Sequence, residues 1–272
     1  MVYMRKAEER GKVNLGWLNS NHSFSFGHYY DVNHMGFSVL RVINDDVVQP
    51  GRGFDTHGHK DVEIVSYVVK GALKHKDSAG NEYQVPEGDI QVMSAGRGIM
   101  HSEYNASDTE EVNFLQIWIL PNQKGGAPTY GQRALAPRGE TNPLSSRTLT
   151  PDMSLPRTTE AHQDEHGANA NVAARQRQLL VSADGRQGSL PIKQDASISS
   201  IHLSDGEQFT LHTGPRKGYL HIVRGTLKAN IKSELQGISL RQGDGLGIYM
   251  NDRLQLDSQG EALALWFDLP NI

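Results

Sequence analysis

Two short motifs hold the residues best suited to chemistry. His57-Gly58-His59 and His101-Ser102-Glu103 each set two ligand-type side chains two residues apart. On a β-strand, residues i and i+2 point to the same face. Each pair can therefore reach one point inside a β-structure. Three imidazoles and one carboxylate suit Fe(II), Mn(II), Ni(II), Co(II), Cu(II) or Zn(II). Four protein ligands on an octahedral ion leave two positions open, enough for a substrate oxygen and dioxygen or water. Glu63 shares parity with His59 and competes for the ion; we take Glu103 as the ligand and Glu63 as a neighbour that orients an imidazole. Gly96-Arg97-Gly98, just before His101, reads as a tight loop that aims His101 and Glu103 inward. The alternative role for Arg97 is contact with an anionic group of a substrate.

Composition narrows the chemistry further. The chain has 272 residues, no cysteine, 12 histidines and 28 glycines. Thiol nucleophiles, disulfide scaffolds and iron–sulfur sites are excluded, so any metal must use His and carboxylate. Lys plus Arg is 27 against 31 Asp plus Glu, a net charge of −4, which disfavours direct nucleic-acid binding. No apolar run approaches 18 residues, so no membrane span is expected. Met1-Val2-Tyr3-Met4-Arg5-Lys6 lacks a signal-peptide core, and the expected location is the cytoplasm.

The elements that must carry these residues read as strands. Short β-branched and aromatic runs, among them Glu63–Val69, Val112–Leu120, Tyr219–Val223 and Ala262–Leu269, alternate with turn signals such as Lys70-Gly71, Pro86-Glu87-Gly88-Asp89 and Arg224-Gly225. Many short strands at close spacing predict an all-β sandwich or barrel. Pro137 to Gln178 breaks the pattern with prolines, small polar residues and few large apolar ones. It reads as a polar tether or surface insertion, with a short helix around Ala168–Arg177. A lid or docking segment is the alternative.

The flanks of that segment resemble each other. Val68-Val69-Lys70-Gly71-Ala72-Leu73-Lys74 aligns with Ile222-Val223-Arg224-Gly225-Thr226-Leu227-Lys228, and Glu87-Gly88-Asp89-Ile90 with Gln242-Gly243-Asp244-Gly245. Both turns match at nearly one spacing, which points to an internal duplication.

With these motifs in hand, the sequence resembles the pirin-like proteins of the cupin superfamily, and most nearly the bacterial pirin-like quercetin 2,3-dioxygenases. The resemblance rests on His22-Ser23-Phe24-Ser25-Phe26, on His57-Gly58-His59 with Glu63, and on Ser94-Ala95-Gly96-Arg97-Gly98-Ile99-Met100-His101-Ser102-Glu103. It is strong over residues 1–133 and looser over 179–272. It implies a bicupin monomer: two jelly-roll-type β-barrels, face to face, joined by a long linker at 134–178. Metal is implied only in the N-terminal barrel, on His57, His59, His101 and Glu103, with Fe(II) the leading ion. The implied activity is dioxygen-dependent cleavage of a flavonol or other phenol, with release of carbon monoxide. Glu103 would then be the base that takes the substrate's 3-hydroxyl proton. Pirins also include metal-containing regulators, so a protein partner is the second reading and another phenolic substrate the third.

The C-terminal barrel departs from the ligand pattern. Counting from Gly225 and Gly243 puts Leu211, Thr213, Leu256 and Ser258 at the ligand positions. His212 falls one residue off register, and His221 has no companion. No second metal is expected. His22, His28, His34, His75 and His202 read as structural or solvated, as do His162 and His166 despite their i, i+4 spacing.

Overall fold

The structure is a computed structural model that describes residues 2–134, 176–231 and 235–272. The alternating apolar runs form strands throughout. The first half runs β1 (Val2–Arg5), β2 (Gly11–Asn14), β3 (Leu18–His22), β4 (Leu40–Val48), β5 (Gly53–His59), β6 (Glu63–Lys70), β7 (Ala72–Asp77), β8 (Glu82–Pro86), β9 (Ile90–Ser94), β10 (Ile99–Asn105), β11 (Val112–Ile119) and β12 (Thr129–Arg133). The second runs β13 (Arg177–Ser182), β14 (Leu190–Pro191), β15 (Ser197–Leu203), β16 (Gln208–His212), β17 (Lys217–Arg224), β18 (Thr226–Ile231), β19 (Leu235–Arg241), β20 (Gly245–Ile248), β21 (Arg253–Ser258) and β22 (Ala262–Leu269).

Each half pairs a seven-stranded sheet with a four-stranded one. The first half has β12-β9-β6-β11-β4-β3-β2 and β5-β10-β7-β8; the second has β1-β20-β17-β22-β15-β13-β14 and β16-β21-β18-β19. The barrels expected from the sequence are therefore jelly-roll sandwiches whose sheets do not close. The ladder breaks where the chain turns a corner from one sheet to the other. Two of these corners lead into and out of the strands with the motif histidines: Lys60–Val62, with Asp61 at φ 53°, and Ala95–Gly98, with Gly96 at φ 50° and Gly98 at φ 141°. The boundary expected at 1–133 also changes at its start, because β1 pairs with β20 of the second half. At the other end, Arg177 already opens β13. Most of the 134–178 segment, with His162, His166 and nearly all of the helix expected there, lies outside the described residues.

The halves meet through their seven-stranded sheets. Val65, Tyr67 and Ile117 of one sheet and Leu180, Tyr219, Leu265 and Phe267 of the other belong to a single buried cluster. Tyr219 lies 5.6 Å from Phe37 and 5.7 Å from Phe24, ring centre to ring centre. Each such side chain contributes roughly 1.5–3 kcal/mol of burial. Two smaller clusters fill the sandwich interiors, one around Val68, Leu73 and Phe114, the other around Leu227, Leu254 and Leu256.

The duplication is visible in backbone detail. Gly71 and Gly225, aligned in the sequence, have φ of 80° and 79°. A Cβ at either would sit 3.0 Å or less from a carbonyl oxygen, of Glu111 or Glu261. Only glycine fits both the torsion and the space.

Candidate metal centre

Strand β10 is the spine of the site. It pairs antiparallel with β5 on one side and β7 on the other. Its burial alternates so that Ile99, His101, Glu103 and Asn105 face the interior. Side chains opposite each other across an antiparallel pair share a face. His101 stands opposite His57 on β5 and Asp77 on β7. A bulge between His101 and Glu103 shifts the next rung, so Glu103 faces Phe54 and not Asp55. On the β7 side Glu103 faces His75.

The three histidines of the two motifs converge. Their ligand nitrogens lie within 4.8 Å of one another. His57 and His101 bring their Nε2 atoms to 3.1 Å. His57 Nδ1 donates to the Asp55 carbonyl at 2.7 Å, which leaves Nε2 with its lone pair. Burial, with the neighbouring His101 and His57, pushes His59 down to about 4; burial, then His57 and His75, pushes His101 down to about 3. At neutral pH both rings are uncharged, the form that ligates a metal. Two imidazole nitrogens this close share either a proton or an ion. The donor set thus suits a divalent transition metal.

Glu103 is buried and held by the facing sheet. Its Oε1 accepts from Ser66 Oγ at 3.0 Å and Gln91 Nε2 at 2.7 Å, and its Oε2 from Gln116 Nε2 at 2.5 Å. These donors form one row, since Ser66 pairs in register with Gln91 and with Gln116. Two residues along β11 from Gln116, Trp118 meets His59 edge to face at 5.0 Å. A hollow of about 380 Å³ opens beside His59, Ser78, Ile99 and Met100.

Several of these residues went unread in the sequence. Ser66, Gln91, Gln116 and Trp118 carry no motif and reach the site only because a second sheet lies across from β10. His75 is fully buried beside His101 and Glu103, not solvated. A signal for it existed: His75-Lys76-Asp77 has the same i, i+2 form as His101-Ser102-Glu103, between exposed lysines.

Glu63 lies elsewhere. The Asp61 corner puts it on β6, in the other sheet, so its shared parity with His59 lapses. Its carboxylate accepts from Ser94 Oγ and from the backbone N–H of Lys193 in the second half. That bond ties the halves together; no imidazole is among the partners that hold it. Arg97 is exposed, and its backbone N–H donates to the Gly126 carbonyl at 2.9 Å, which pins the turn leading into β10.

The second sandwich carries leucine at the matching places. Leu211 stands opposite Leu254, as His57 stands opposite His101. Leu254 and Leu256 therefore occupy the places of His101 and Glu103. Counting from Gly243 puts Leu256 and Ser258 there, two residues too far along: the turns run equally into Ile90 and Gly245, which face Tyr67 and His221, but the stretch from β20 to β21 is two residues shorter than that from β9 to β10. All these leucines are buried. His212 is exposed, and His221 is buried in the seven-stranded sheet.

Comparison with known proteins agrees with this plan. The Pirin family pattern matches residues 3–119, and that of the quercetinase C-terminal cupin domain matches 179–269. Across its full length the chain is 40% identical to a quercetin 2,3-dioxygenase of Escherichia coli, covering 100% of both. The chain belongs to the pirin family. A pirin-like protein of Caulobacter vibrioides is 36% identical over 91% of this chain and 90% of its own. Among solved structures, the bacterial pirin YhhW of Escherichia coli in complex with nickel(II) superposes with a TM-score of 0.81, at 40% identity and full coverage of both chains. Both clusters of metal-type side chains found among the described residues lie in the N-terminal half. No helix among the described residues is long and apolar enough to cross a membrane.

Proposed function

We propose that the protein is a metal-dependent dioxygenase of the quercetin 2,3-dioxygenase type, which opens the heterocycle of a flavonol and releases carbon monoxide. The observation that carries this reading is the convergence of three imidazoles beside a buried carboxylate whose partners are all in place. The relatives' names support the substrate class. His57, His59, His101 and Glu103 would hold the ion, and Fe(II) is the proposed native metal. When bound, the ion supplies Lewis acidity and one-electron chemistry toward dioxygen.

The side chains do the rest. Glu103 takes the proton of the substrate's 3-hydroxyl at Oε2. Oε1 already accepts two hydrogen bonds, whereas Oε2 accepts one, from Gln116. The Ser66, Gln91 and Gln116 donors hold the carboxylate still while it does so. Trp118 packs on His59 and gives the mouth an apolar wall against which a flat phenol can lie.

The test is direct. The purified chain is loaded with Fe(II), Ni(II), Mn(II), Co(II), Cu(II) or Zn(II) in turn and mixed with quercetin in air. Loss of the flavonol absorbance with matching oxygen uptake and carbon monoxide release supports the reading. No turnover with any of these metals sinks it.

A further inference from the structure

The donors that hold Glu103 do not set their own direction. A glutamine side chain has an acceptor at one end and a donor at the other, and either end can face a neighbour. Gln91 turns its donor end inward: Nε2 donates to Glu103 Oε1 at 2.7 Å and to Ser66 Oγ at 2.9 Å. Its Oε1 points the other way and accepts from the hydroxyl of Tyr130 at 3.1 Å. We propose that Tyr130 is a positioning residue for Glu103: its hydroxyl fixes which end of Gln91 faces the carboxylate, and through Gln91 it sets the direction of the whole donor row. In taking Glu103 as part of the metal centre, this rests on the functional reading above.

Three observations support the role. First, the row is one circuit with one sense. Gln91 donates to Ser66, Ser66 Oγ lies 3.1 Å from Gln116 Oε1 and 3.0 Å from Glu103 Oε1, and Gln116 Nε2 closes on Glu103 Oε2. Turning Gln91 around would set its oxygen against the carboxylate and leave Ser66 without its donor, inside a buried site. Second, Tyr130 is itself held in place at the edge of the circuit. Its ring packs against His75 at 4.7 Å and Tyr83 at 5.3 Å. Gln132, two residues along β12, offers its Oε1 to the same hydroxyl at 3.2 Å, and its Nε2 is tied to the Gln84 carbonyl at 2.8 Å and to Asp89 Oδ2 at 3.2 Å. Burial, then the charge of Glu103, pushes the Tyr130 phenol above its ordinary range, so it keeps the proton it donates.

Third, the duplicated sandwich replaces the row as a unit. Gln132, Gln91, Ser66 and Gln116 stand in register across β12, β9, β6 and β11. Across β1, β20, β17 and β22 the matching residues are Met4, Leu246, Leu220 and Trp266, with Val2 at the place of Tyr130. Leu256 takes the place of Glu103. The frame folds with hydrocarbon along this row, and the polar row accompanies the carboxylate it holds.

Ni(II) affinity by calorimetry, in a double-mutant cycle of Tyr130 and Gln91, tests the assignment. Gln91→Leu should weaken Ni(II) by roughly 10–100-fold, the range for loss of a partner that orients a ligand, and Tyr130→Phe, which keeps the ring, by about 10-fold. In the Gln91→Leu background, adding Tyr130→Phe should change affinity by no more than about twofold, because the hydroxyl acts through Gln91. Leucine already fills the matching place at Leu246, and circular dichroism melts check folding; Gln91→Met completes the same cycle if Gln91→Leu does not fold. Tyr83→Phe removes a hydroxyl from the same stack and should bind Ni(II) as wild type does. A merely structural Tyr130 would lower the melting temperature of the metal-free protein and leave Ni(II) affinity unchanged. That result overturns the assignment, as do two losses that multiply in the double variant or a loss in Tyr83→Phe as large as in Tyr130→Phe. Failure of the functional reading looks different: wild type would hold Ni(II) and show the same cycle, with no flavonol turnover under any metal.

Discussion

The Nε2 atoms of His57 and His101 stand 3.1 Å apart across the β5–β10 pair. A contact so close between two imidazole nitrogens fits one shared ion. Stripping metal with a chelator should lower the melting temperature, and restoring Ni(II) should raise it. At a free ion concentration of 100 Kd the gain is about 2.7 kcal/mol. His101→Ala should abolish the Ni(II)-dependent rise, measured by calorimetry with and without the ion.

Glu103→Gln tests the base. The amide keeps the shape but turns an NH2 toward the donating NH2 of Gln91 or of Gln116. Folding stability should fall by about 1–3 kcal/mol. Flavonol bleaching should be lost while His57, His59 and His101 still retain metal. Turnover equal to wild type in a metal-loaded sample would rule out the proton-accepting role.

Glu63 gives the opposite pattern. Its bonds go to Ser94 and to the Lys193 N–H. Glu63→Ala leaves that buried N–H unmet and should cost about 1–3 kcal/mol in urea unfolding. Bound metal, by elemental analysis, should stay at the wild-type level. A drop in metal content alone would return Glu63 to the site.

Two buried groups shape the pH dependence with opposite signs. Burial, then Arg10, pushes His221 down to about 3. Between that value and the ordinary 6.5 the unfolded chain binds the proton and the folded one does not, so His221 costs stability as pH falls. At pH 5 the loss is about 2 kcal/mol from 1.36 kcal/mol per unit. In His221→Leu, the decline in stability from pH 7 to 5 should be shallower than in wild type by about that amount. Asp46 is the reverse: burial pushes it up to about 7, and the charges of Asp45 and Glu103 add to the rise. The folded chain there holds a proton the unfolded one releases, so stability falls as pH rises. Asp46→Asn should gain on wild type from about pH 4 to 7 and hold that gain above. Urea unfolding at each pH measures both slopes.

Much of this was legible in the chain because strand parity is a local property. His57 with His59, and His101 with Glu103, share a face wherever their strands go. The paired turns at Gly71 and Gly225 likewise announced the duplication. Parity failed at Glu63 for an equally physical reason: the corner at Asp61 carries the chain into another sheet, and counting across a corner has no meaning. The same limit displaced the second-half count by two residues, where one turn is shorter than its counterpart.

The sequence by itself determined the strands, the two halves and the motif histidines His57, His59 and His101, since each depends on neighbours within a few residues. The tertiary structure decided the company they keep. Register between β10 and β7 set His75 against Glu103, the facing sheet brought Ser66, Gln91, Gln116 and Trp118 over the site, and pairing of β1 with β20 sent the N-terminal strand into the second half. Such contacts join residues tens to hundreds of positions apart, and only the packing of sheets, which buries their apolar faces together, fixes which of them meet.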